Sequence, residues 1–199
     1  MFARLSTPTD DDASLIERSV TEPELFGVLY ERHAAAIHRY VTRRLGNVVA
    51  DDVVADTFLI AFRGRARYDP ARRTAGPWLY GIASNLIAKH HRAEIRLYRA
   101  CLRTGTDPVA EPYIDRVEAR VLSAGWQRPL AGALARLSAK DRDVLLLIAW
   151  AELSYEQVAQ ALDIPIGTVR SRLNRARRKV QSALNGINPM TLNEEFPRG

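Results

Sequence analysis

Two short helical patterns separated by a break at residues 163–165 constrain the fold of this chain most strongly. Ser154 followed by Gln157 predicts a capped first helix, with Val158 and Leu162 on its inward side. The break contains a proline, which cannot continue a helix. Asp163 stands where such turns favour a left-handed residue, a conformation that Asp tolerates. The segment therefore predicts two helices across a tight turn.

The second of these helices, starting at Gly167 and Thr168, combines an apolar stripe with a basic arc. The stripe recurs every three or four residues: Val169, Leu173, Ala176 and Val180. The opposite arc presents Ser171, Asn174, Arg175 and Arg178, and residues 167–180 hold six basic residues and no acid. Arginine bonds guanine edges, asparagine bonds adenine, and further basic residues neutralise phosphates. The pattern indicates a helix-turn-helix that reads duplex DNA, and a merely solvated basic face is the alternative.

Composition agrees with a globular protein that has a polyanionic partner. The formal net charge is +6 and hydrophobic residues make up 47% of the 199 residues, enough for buried cores. Cys101 is the only cysteine, which excludes an internal disulfide and a zinc site built on paired cysteines. No apolar run approaches the ~18 residues of a membrane span, and the start lacks the order of a secretion signal. We expect a cytoplasmic protein without membrane insertion.

The first half predicts a small helical domain over residues 23–103. Residues 1–22 are acidic and weakly periodic, which predicts a disordered leader. Apolar residues at helical spacing predict a helix from Glu24 to near Gly46 and a second helix after it. Residues 63–77, with five arginines, two prolines and two glycines, predict a loop. A third helix is expected from Trp78 through Arg99, with Ser84 on its polar side.

The second half predicts another helical domain over residues 125–185. Residues 104–124 are rich in Thr, Gly, Pro and acids, which is typical of a linker, here with a short helix over residues 113–122. A helix is expected from near Trp126, and Ser138 with Asp141 resembles a capping box that opens the next one. We expect residues 186–199 to form a tail. No strand pattern or repeat appears, so the fold class is all-α, with two small domains.

A second basic segment lies in the first domain. Residues 63–103, which we call the N-terminal basic segment, hold ten Lys or Arg residues against two acids, with four aromatic residues interleaved: Tyr68, Trp78, Tyr80 and Tyr98. Backbone neutralisation combined with base stacking suits single-stranded DNA. The alternative is that Trp78 and Tyr80 are core aromatics.

The order of these parts resembles the extracytoplasmic-function (group four) sigma factors of bacterial RNA polymerase, within the sigma-70 family. The resemblance is carried by residues 50–58 (ADDVVADTF), 78–86 (WLYGIASNL), 137–147, 153–159 (LSYEQVA) and 167–173 (GTVRSRL). It implies a sigma-2 helical bundle and a sigma-4 helix-turn-helix domain, joined by a flexible linker. Ala55 stands where many relatives carry glutamine. The function implied is an alternative sigma factor that initiates transcription of a stress-responsive or signal-responsive regulon.

The resemblance also implies partners and site residues. The partners are core RNA polymerase, through its β′ clamp helices and β flap, promoter DNA, and an anti-sigma factor. Polymerase binding is implied for Asp51, Asp52, Val53, Asp56 and Phe58. Recognition and melting of the minus-10 element as single strand is implied for Arg65, Tyr68, Arg72, Arg73, Trp78, Ser84, Asn85, Lys89 and Arg92. Reading of the minus-35 element as duplex is implied for Thr168, Arg170, Ser171, Arg172, Asn174, Arg175 and Arg178.

Two other functions stay open from the sequence. A one-component regulator with a helix-turn-helix needs β elements in the N-terminal half, which reads as helices only. A helical-bundle metal hydrolase would draw on Asp51, Asp52, Asp56, His33 and His38, but neither HExxH nor a Glu-x-x-His pair is present. We therefore expect a protein that is not an enzyme, with no catalytic residue, no metal site and no cofactor.

Overall fold

The computed structural model describes residues 11–104 and 129–184, and every regular element in these two ranges is helical. The predicted all-α fold class is confirmed. The predicted linker helix, the start of the helix near Trp126 and the C-terminal tail lie outside the described residues. No helix among the described residues combines the length and apolarity needed to cross a membrane.

The first half contains five α-helices and two short 3-10 helices within residues 11–104. They are α1 (Asp12–Arg18), a 3-10 turn (Pro23–Leu25), α2 (Phe26–Leu45), α3 (Asn47–Gly64), a 3-10 turn (Arg65–Arg67), α4 (Gly76–Lys89) and α5 (His91–Thr104). Helix α2 ends at Gly46, whose φ of 80° is readily adopted only by glycine. Reversal at this glycine lets α3 pack back along α2.

The core of this half lies where α2, α3 and α4 meet. Tyr40 and Val41 of α2, Ala61 of α3, and Leu79 and Ile87 of α4 are each at most 1% exposed. Each large aliphatic side chain buried in this way contributes about 1.5 to 3 kcal/mol. The three helices therefore form one packed unit that holds the loop between α3 and α4.

Helix α1 corrects the prediction of a disordered leader. Residues 12–18 are helical, and Leu15 and Ile16 are 0% and 1% exposed against the bundle. The Ser14 amide donates to the Asp11 carboxylate at 2.9 Å, which caps the helix. Only two large apolar residues mark this helix in an acidic stretch, too few for a periodic signal. Residues 1–10 lie outside the described part of the chain.

The expected third helix is two helices. Helix α4 ends at Lys89, and His90 leaves the helical conformation with φ −94° and ψ 14°. The His90 carbonyl then accepts from the amides of Ala93 and Glu94 at 2.8 and 3.1 Å, which starts α5. The expected loop is also shorter, since α3 continues to Gly64 and a 3-10 turn follows; we call residues 68–75 the α3–α4 loop.

The second half contains the predicted helix-turn-helix. Residues 129–136 are helical (α6), followed by α7 (Ala139–Ala149), α8 (Tyr155–Leu162) and α9 (Ile166–Ala183). Ser154 and Gln157 form the complete capping box, and Asp163 ends α8 in the left-handed conformation at φ 49°. The predicted cap at Ser154 and the predicted left-handed residue at Asp163 are both confirmed. Ser138 caps α7 as expected, but Asp141 does not complete a box, because its carboxylate is bound by Arg175 of α9.

The two halves pack against each other through α4 and α8. Gly81 of α4 makes this possible, because a Cβ atom at position 81 would overlap the backbone carbonyl oxygen of Ala161 in α8. Backbones approach this closely only where a side chain is missing. Helix α4, which lies within the N-terminal basic segment, therefore packs directly against α8, the first helix of the helix-turn-helix.

Candidate nucleic-acid interface

Helix α9 exposes the basic arc that the sequence predicts. Its stripe is buried at Val169, Leu173 and Ala176, each at most 1% exposed, and Val180 is half-buried. The arc opposite is exposed at Arg170, Ser171, Asn174, Arg175, Arg177, Arg178 and Lys179. Thr168 and Arg172, also predicted to read DNA, are half-buried at the edge of this arc. A helix with one packed face and one basic, exposed face has the form that enters a major groove.

Arg175 is both exposed and anchored. Its Nη1 donates to Oδ1 of Asp141 in α7 at 3.1 Å, while the Arg175 side chain remains 57% exposed. Lys179 lies 3.8 Å from the other carboxylate oxygen of the same residue, which is itself only 2% exposed. The sequence pattern predicts Asp141 only as part of a helix cap, so its contact with Arg175 is visible only in the structure. The buried carboxylate of Asp141 therefore orients Arg175 and lies close to Lys179, and it adds no acidic side chain to the exposed basic arc.

The α3–α4 loop is folded around Tyr68. The Tyr68 hydroxyl donates to the backbone carbonyls of Arg72 and Thr74 at 2.5 and 2.9 Å, and its ring packs on Trp78 at 4.9 Å between centroids. Burial raises the pKa of Tyr68 to about 12, so the hydroxyl stays a donor at neutral pH. Arg72 and Arg73 are exposed on this loop.

Not every residue predicted to contact the minus-10 element is available at the surface. Arg65 turns inward, since its guanidinium donates to the carbonyls of Ser19 and Phe62 and lies 3.7 Å above the Phe62 ring. Ser84 is 3% exposed, in contrast to the polar side predicted for it. Tyr80 is a core aromatic, packed edge-on against Tyr40.

The remaining predicted minus-10 residues do form a surface. Asn85, Lys89 and Arg92 are exposed on α4 and α5, and Trp78 is half-buried beside the loop. Lys89 and Arg92 stand at the junction of the two helices, where the groove along α5 is lined by His91, Arg92, Arg96 and Arg99. The lysine and arginines among these side chains, like the loop arginines Arg72 and Arg73, are exposed cations of the kind that neutralise a DNA backbone.

Helix α3 carries the acidic face expected to bind polymerase. Asp51, Asp52 and Asp56 are exposed, but Val53 and Phe58 are 3% and 6% exposed, inside the core. These two side chains lie in the core beneath the acidic face. The structure instead exposes Leu59 and Ile60, each 43%, on the same helix. The signal for them was available: α3 has more apolar residues than one helix face can bury.

A buried charge cluster joins the two halves and was missed by sequence reasoning. Arg44 of α2 donates to Glu94 of α5 and, at 2.7 Å, to Asp143 of α7. Arg142 of α7 lies 3.0 Å from the same Glu94 and is 0% exposed. Burial raises the pKa of Asp143, although the Arg44 charge opposes the shift. Because Arg44, Glu94 and the adjacent pair Arg142 and Asp143 come from three distant parts of the sequence, no local pattern reveals the cluster.

The residues proposed for a metal hydrolase do not converge. His33 bonds Asp12 at 2.7 Å, whereas His38 bonds Asp51 at 3.0 Å. Within residues 11–104 and 129–184, no group of three or more His, Cys, Asp or Glu residues is arranged to hold a metal ion. Residues 11–104 also contain no strand, which a one-component regulator of the expected type would need there.

Comparison with known proteins agrees with this arrangement. Residues 29–97 match Sigma-70 region 2, and residues 127–180 match Sigma-70, region 4. The chain is 34% identical over 175 residues to the ECF RNA polymerase sigma factor SigL of Mycobacterium tuberculosis, covering 85% of this chain and 94% of SigL. It is 29% identical over 184 residues to the ECF RNA polymerase sigma factor SigK of Mycolicibacterium vanbaalenii, covering 92% and 93%.

A solved structure shares the arrangement of helices. CnrH, in complex with the cytosolic domain of CnrY, superposes with a TM-score of 0.61 at 25% identity, covering 89% of this chain and 99% of CnrH. Region 2 corresponds to the bundle of α2 to α5, and region 4 to α6 to α9. The chain belongs to the ECF RNA polymerase sigma factors of the Sigma-70 family.

Proposed function

We propose that this alternative sigma factor divides promoter recognition among three surfaces of its two domains. Helix α9 reads the minus-35 element, the α3–α4 loop with α4 and α5 opens the minus-10 element, and α3 binds polymerase. The observation that carries the proposal is the exposed basic arc of α9 on a packed helix-turn-helix. No reaction is assigned to the chain itself, because the chemistry of transcription stays with the polymerase.

The minus-35 reader is the arc of α9. Arg178 and Asn174 are exposed and lie one turn apart, so they face the same groove. Arginine and asparagine both make bidentate contacts with base edges, to guanine and adenine respectively. Arg170 and Arg177 at the margins suit phosphates, which position the helix without choosing the sequence. Duplex DNA is the ligand that this geometry supports best.

The minus-10 surface suits melted DNA. Arg72 and Arg73 extend from the loop, and Trp78 is half-buried with its ring against Tyr68. An aromatic pair next to exposed cations can stack an unpaired base while the backbone is neutralised. Asn85 on α4 adds an exposed amide that can bond a base edge.

The polymerase-binding surface is the outer face of α3. Asp52, Asp56, Leu59 and Ile60 recur at helical spacing and are all exposed. Exposed large apolar side chains next to carboxylates are typical of a surface that a protein partner covers. We assign the β′ clamp helices to this face in place of the sequence-based set that included Val53 and Phe58. The β flap is assigned to the sigma-4 domain.

An anti-sigma factor is the further partner that we propose. CnrH is similar to this chain along nearly its whole length and was solved bound to the cytosolic domain of CnrY. We extend this to a second protein that binds our chain and competes with polymerase. Because the sigma factor acts together with RNA polymerase, we assign it to the cytoplasm.

Transcription with purified components tests the proposed function. The protein is added to core RNA polymerase and a library of genomic promoters, and transcripts are sequenced. We expect initiation from a set of promoters that share a minus-35 and a minus-10 sequence, with none from core enzyme alone. Transcription from no promoter in the library, although the protein binds core enzyme, contradicts the proposal.

A further inference from the structure

We propose that Asp12 is a positioning residue that holds the start of α4, and with it the α3–α4 loop, in the shape needed to open the minus-10 element. The inference rests on the proposed function of this loop. Asp12 belongs to α1, which the sequence did not predict, and it is 8% exposed. It does not reach a DNA ligand, so it acts through the backbone of the loop.

The Asp12 carboxylate joins three parts of the chain. Its Oδ2 accepts from the backbone amide of Ala75 at 2.9 Å and lies 2.7 Å from Nε2 of His33. Its Oδ1 accepts from Nη1 of Arg32 at 3.1 Å. The amide partner lies 63 residues away in sequence, while His33 and Arg32 belong to α2. One side chain therefore ties α1, α2 and the start of α4 together.

Helix α4 draws on this carboxylate because its N-cap residue provides no side-chain cap, and the Thr74 hydroxyl, 3.4 Å from the Gly76 amide, serves a different amide. Ala75 occupies the N-cap position, provides no side-chain hydrogen bond and is 0% exposed. Amides in the first turn of a helix have no partner within the helix, and a buried one must find a partner elsewhere. Asp12 supplies this partner, and its negative charge lies at the positive end of α4.

The carboxylate is held in its charged form. Burial raises the pKa of Asp12, but the hydrogen bonds from His33 and Ala75, together with the charge of His33, lower it to about 2. At physiological pH the group is an anion surrounded by donors. Charge-assisted hydrogen bonds are the stronger kind, so the position of the Ala75 amide is well defined.

Tyr68 closes the same loop internally. Its hydroxyl hydrogen bonds to the carbonyls of Arg72 and Thr74, just before Ala75. Arg72 and Arg73 lie in this closed stretch and are exposed. Asp12 ties the closed loop to α1 and α2 through Ala75, so loss of the Asp12 tie frees the loop and its arginines to shift relative to these helices.

The apolar residues of α1 keep the carboxylate in place. Leu15 and Ile16 are buried against the bundle, so α1 is anchored independently of the hydrogen bonds of Asp12. Its neighbour Asp11 is exposed, and its carboxylate accepts from the Ser14 amide at the start of α1. The chain thus provides a matched control: two adjacent acids, of which one caps α1 and the other reaches the α3–α4 loop.

Strand opening on two templates tests the inference. Asp12→Ala, Asp12→Asn and Asp11→Asn are each combined with core polymerase, and the rate of open-complex formation is measured on a duplex promoter that the wild type uses. The same promoter with a premelted minus-10 region serves as the second template. A role in opening predicts a loss on the duplex alone, because the premelted template no longer needs the step that the loop performs.

We expect Asp12→Ala to slow opening of the duplex by about tenfold or more, from the loss of charge-assisted hydrogen bonds. Asp12→Asn keeps an oxygen acceptor and is expected to lie between Asp12→Ala and the wild type, and Asp11→Asn to match the wild type. Activity of Asp12→Ala on the premelted template should approach that of the wild type.

Equal losses on both templates, or no loss on the duplex, overturn the positioning role. If Asp12→Ala unfolds, Asp12→Asn gives the same comparison, and the same two results overturn the inference. Failure of the proposed function is seen separately, because wild-type protein would then be inactive on both templates.

Discussion

Gly81 in α4 lies against the backbone carbonyl of Ala161 in α8, with no room for a side chain between the two helices. This contact joins the sigma-2 and sigma-4 halves at the helix that we assign to the minus-10 element. It is supported nearby by the pairing of Arg44 with Asp143 across the same boundary. The two promoter-reading helices therefore belong to one packed body in this structure.

The packed body cannot read both promoter elements at once. Elements centred near positions minus-35 and minus-10 lie about 25 base pairs apart, or about 85 Å along B-DNA at roughly 3.4 Å per base pair. A compact chain of this length has a radius of gyration of only about 16 Å. If α9 and the α3–α4 loop bind the two elements as we propose, the halves must separate before they bind the same promoter.

Replacement of Gly81 is expected to open the molecule. A Cβ at this position displaces the Ala161 backbone, and forced insertion into a packed contact costs about 1 to 3 kcal/mol. We expect Gly81→Ala to increase the radius of gyration measured by small-angle X-ray scattering while the helical circular dichroism is kept. Gly27→Ala is the matched control, because nothing lies within 4 Å of its added Cβ. An unchanged radius of gyration for Gly81→Ala contradicts the prediction.

Loss of one partner of the buried charge cluster is expected to be costly. In Arg44→Met the carboxylate of Glu94, itself 1% exposed, loses one of its two arginines and Asp143 loses its partner. Breaking a buried pair in this way costs about 3 to 5 kcal/mol. Chemical denaturation measures the free energy of unfolding, with the exposed Arg39→Met as control. A loss below about 1 kcal/mol would show that the cluster is not tightly coupled.

Acid should weaken the fold through Asp12. Its pKa is lowered from 3.8 to about 2 in the folded protein. A lowered folded-state pKa means that its contribution to stability is present above pH 3.8 and is lost as the pH falls towards 2. The shift corresponds to about 2 kcal/mol. We expect the wild type to lose more stability than Asp12→Asn between pH 4 and pH 2 in urea titrations, and parallel curves would contradict this.

The arginines of α9 are expected to differ in what their loss does. Arg178→Ala should weaken binding of the cognate minus-35 duplex by about 1 to 3 kcal/mol, with little effect on stability. Arg175→Ala should weaken binding similarly and also destabilise the domain, because Arg175 is bonded to Asp141, which is 2% exposed. Fluorescence anisotropy on cognate and random duplexes, together with thermal unfolding, separates the effects. An equal loss on random duplex would identify the arginine as a phosphate contact.

Two substitutions on the exposed face of α3 are expected to impair polymerase binding. Asp52→Arg and Leu59→Ser change exposed side chains, so the fold should persist while co-purification with core enzyme falls. Glu17→Arg, an exposed acid on α1, controls for the change in net charge. Unchanged co-purification of both α3 variants would remove the assignment of this face.

The sequence by itself determined the local features of this protein. The capping box at Ser154, the left-handed residue at Asp163 and the stripe from Val169 to Ala176 all depend on residues within four positions of each other. Interactions of this range follow from helix geometry alone, so the pattern was sufficient for the helix-turn-helix. The same holds for the all-α fold class and for the exposed acids of α3.

Only the tertiary structure decided what depends on distant partners. Helix α1 is stable because the bundle buries Leu15 and Ile16, and the Asp12 bond to Ala75 spans 63 residues. The burial of Val53 and Phe58, and the contact of Gly81 with Ala161, follow from how helices pack and not from their periodicity. Periodicity identifies an apolar face but not the element that covers it. Which helix faces pack against each other is therefore decided only when the helices assemble.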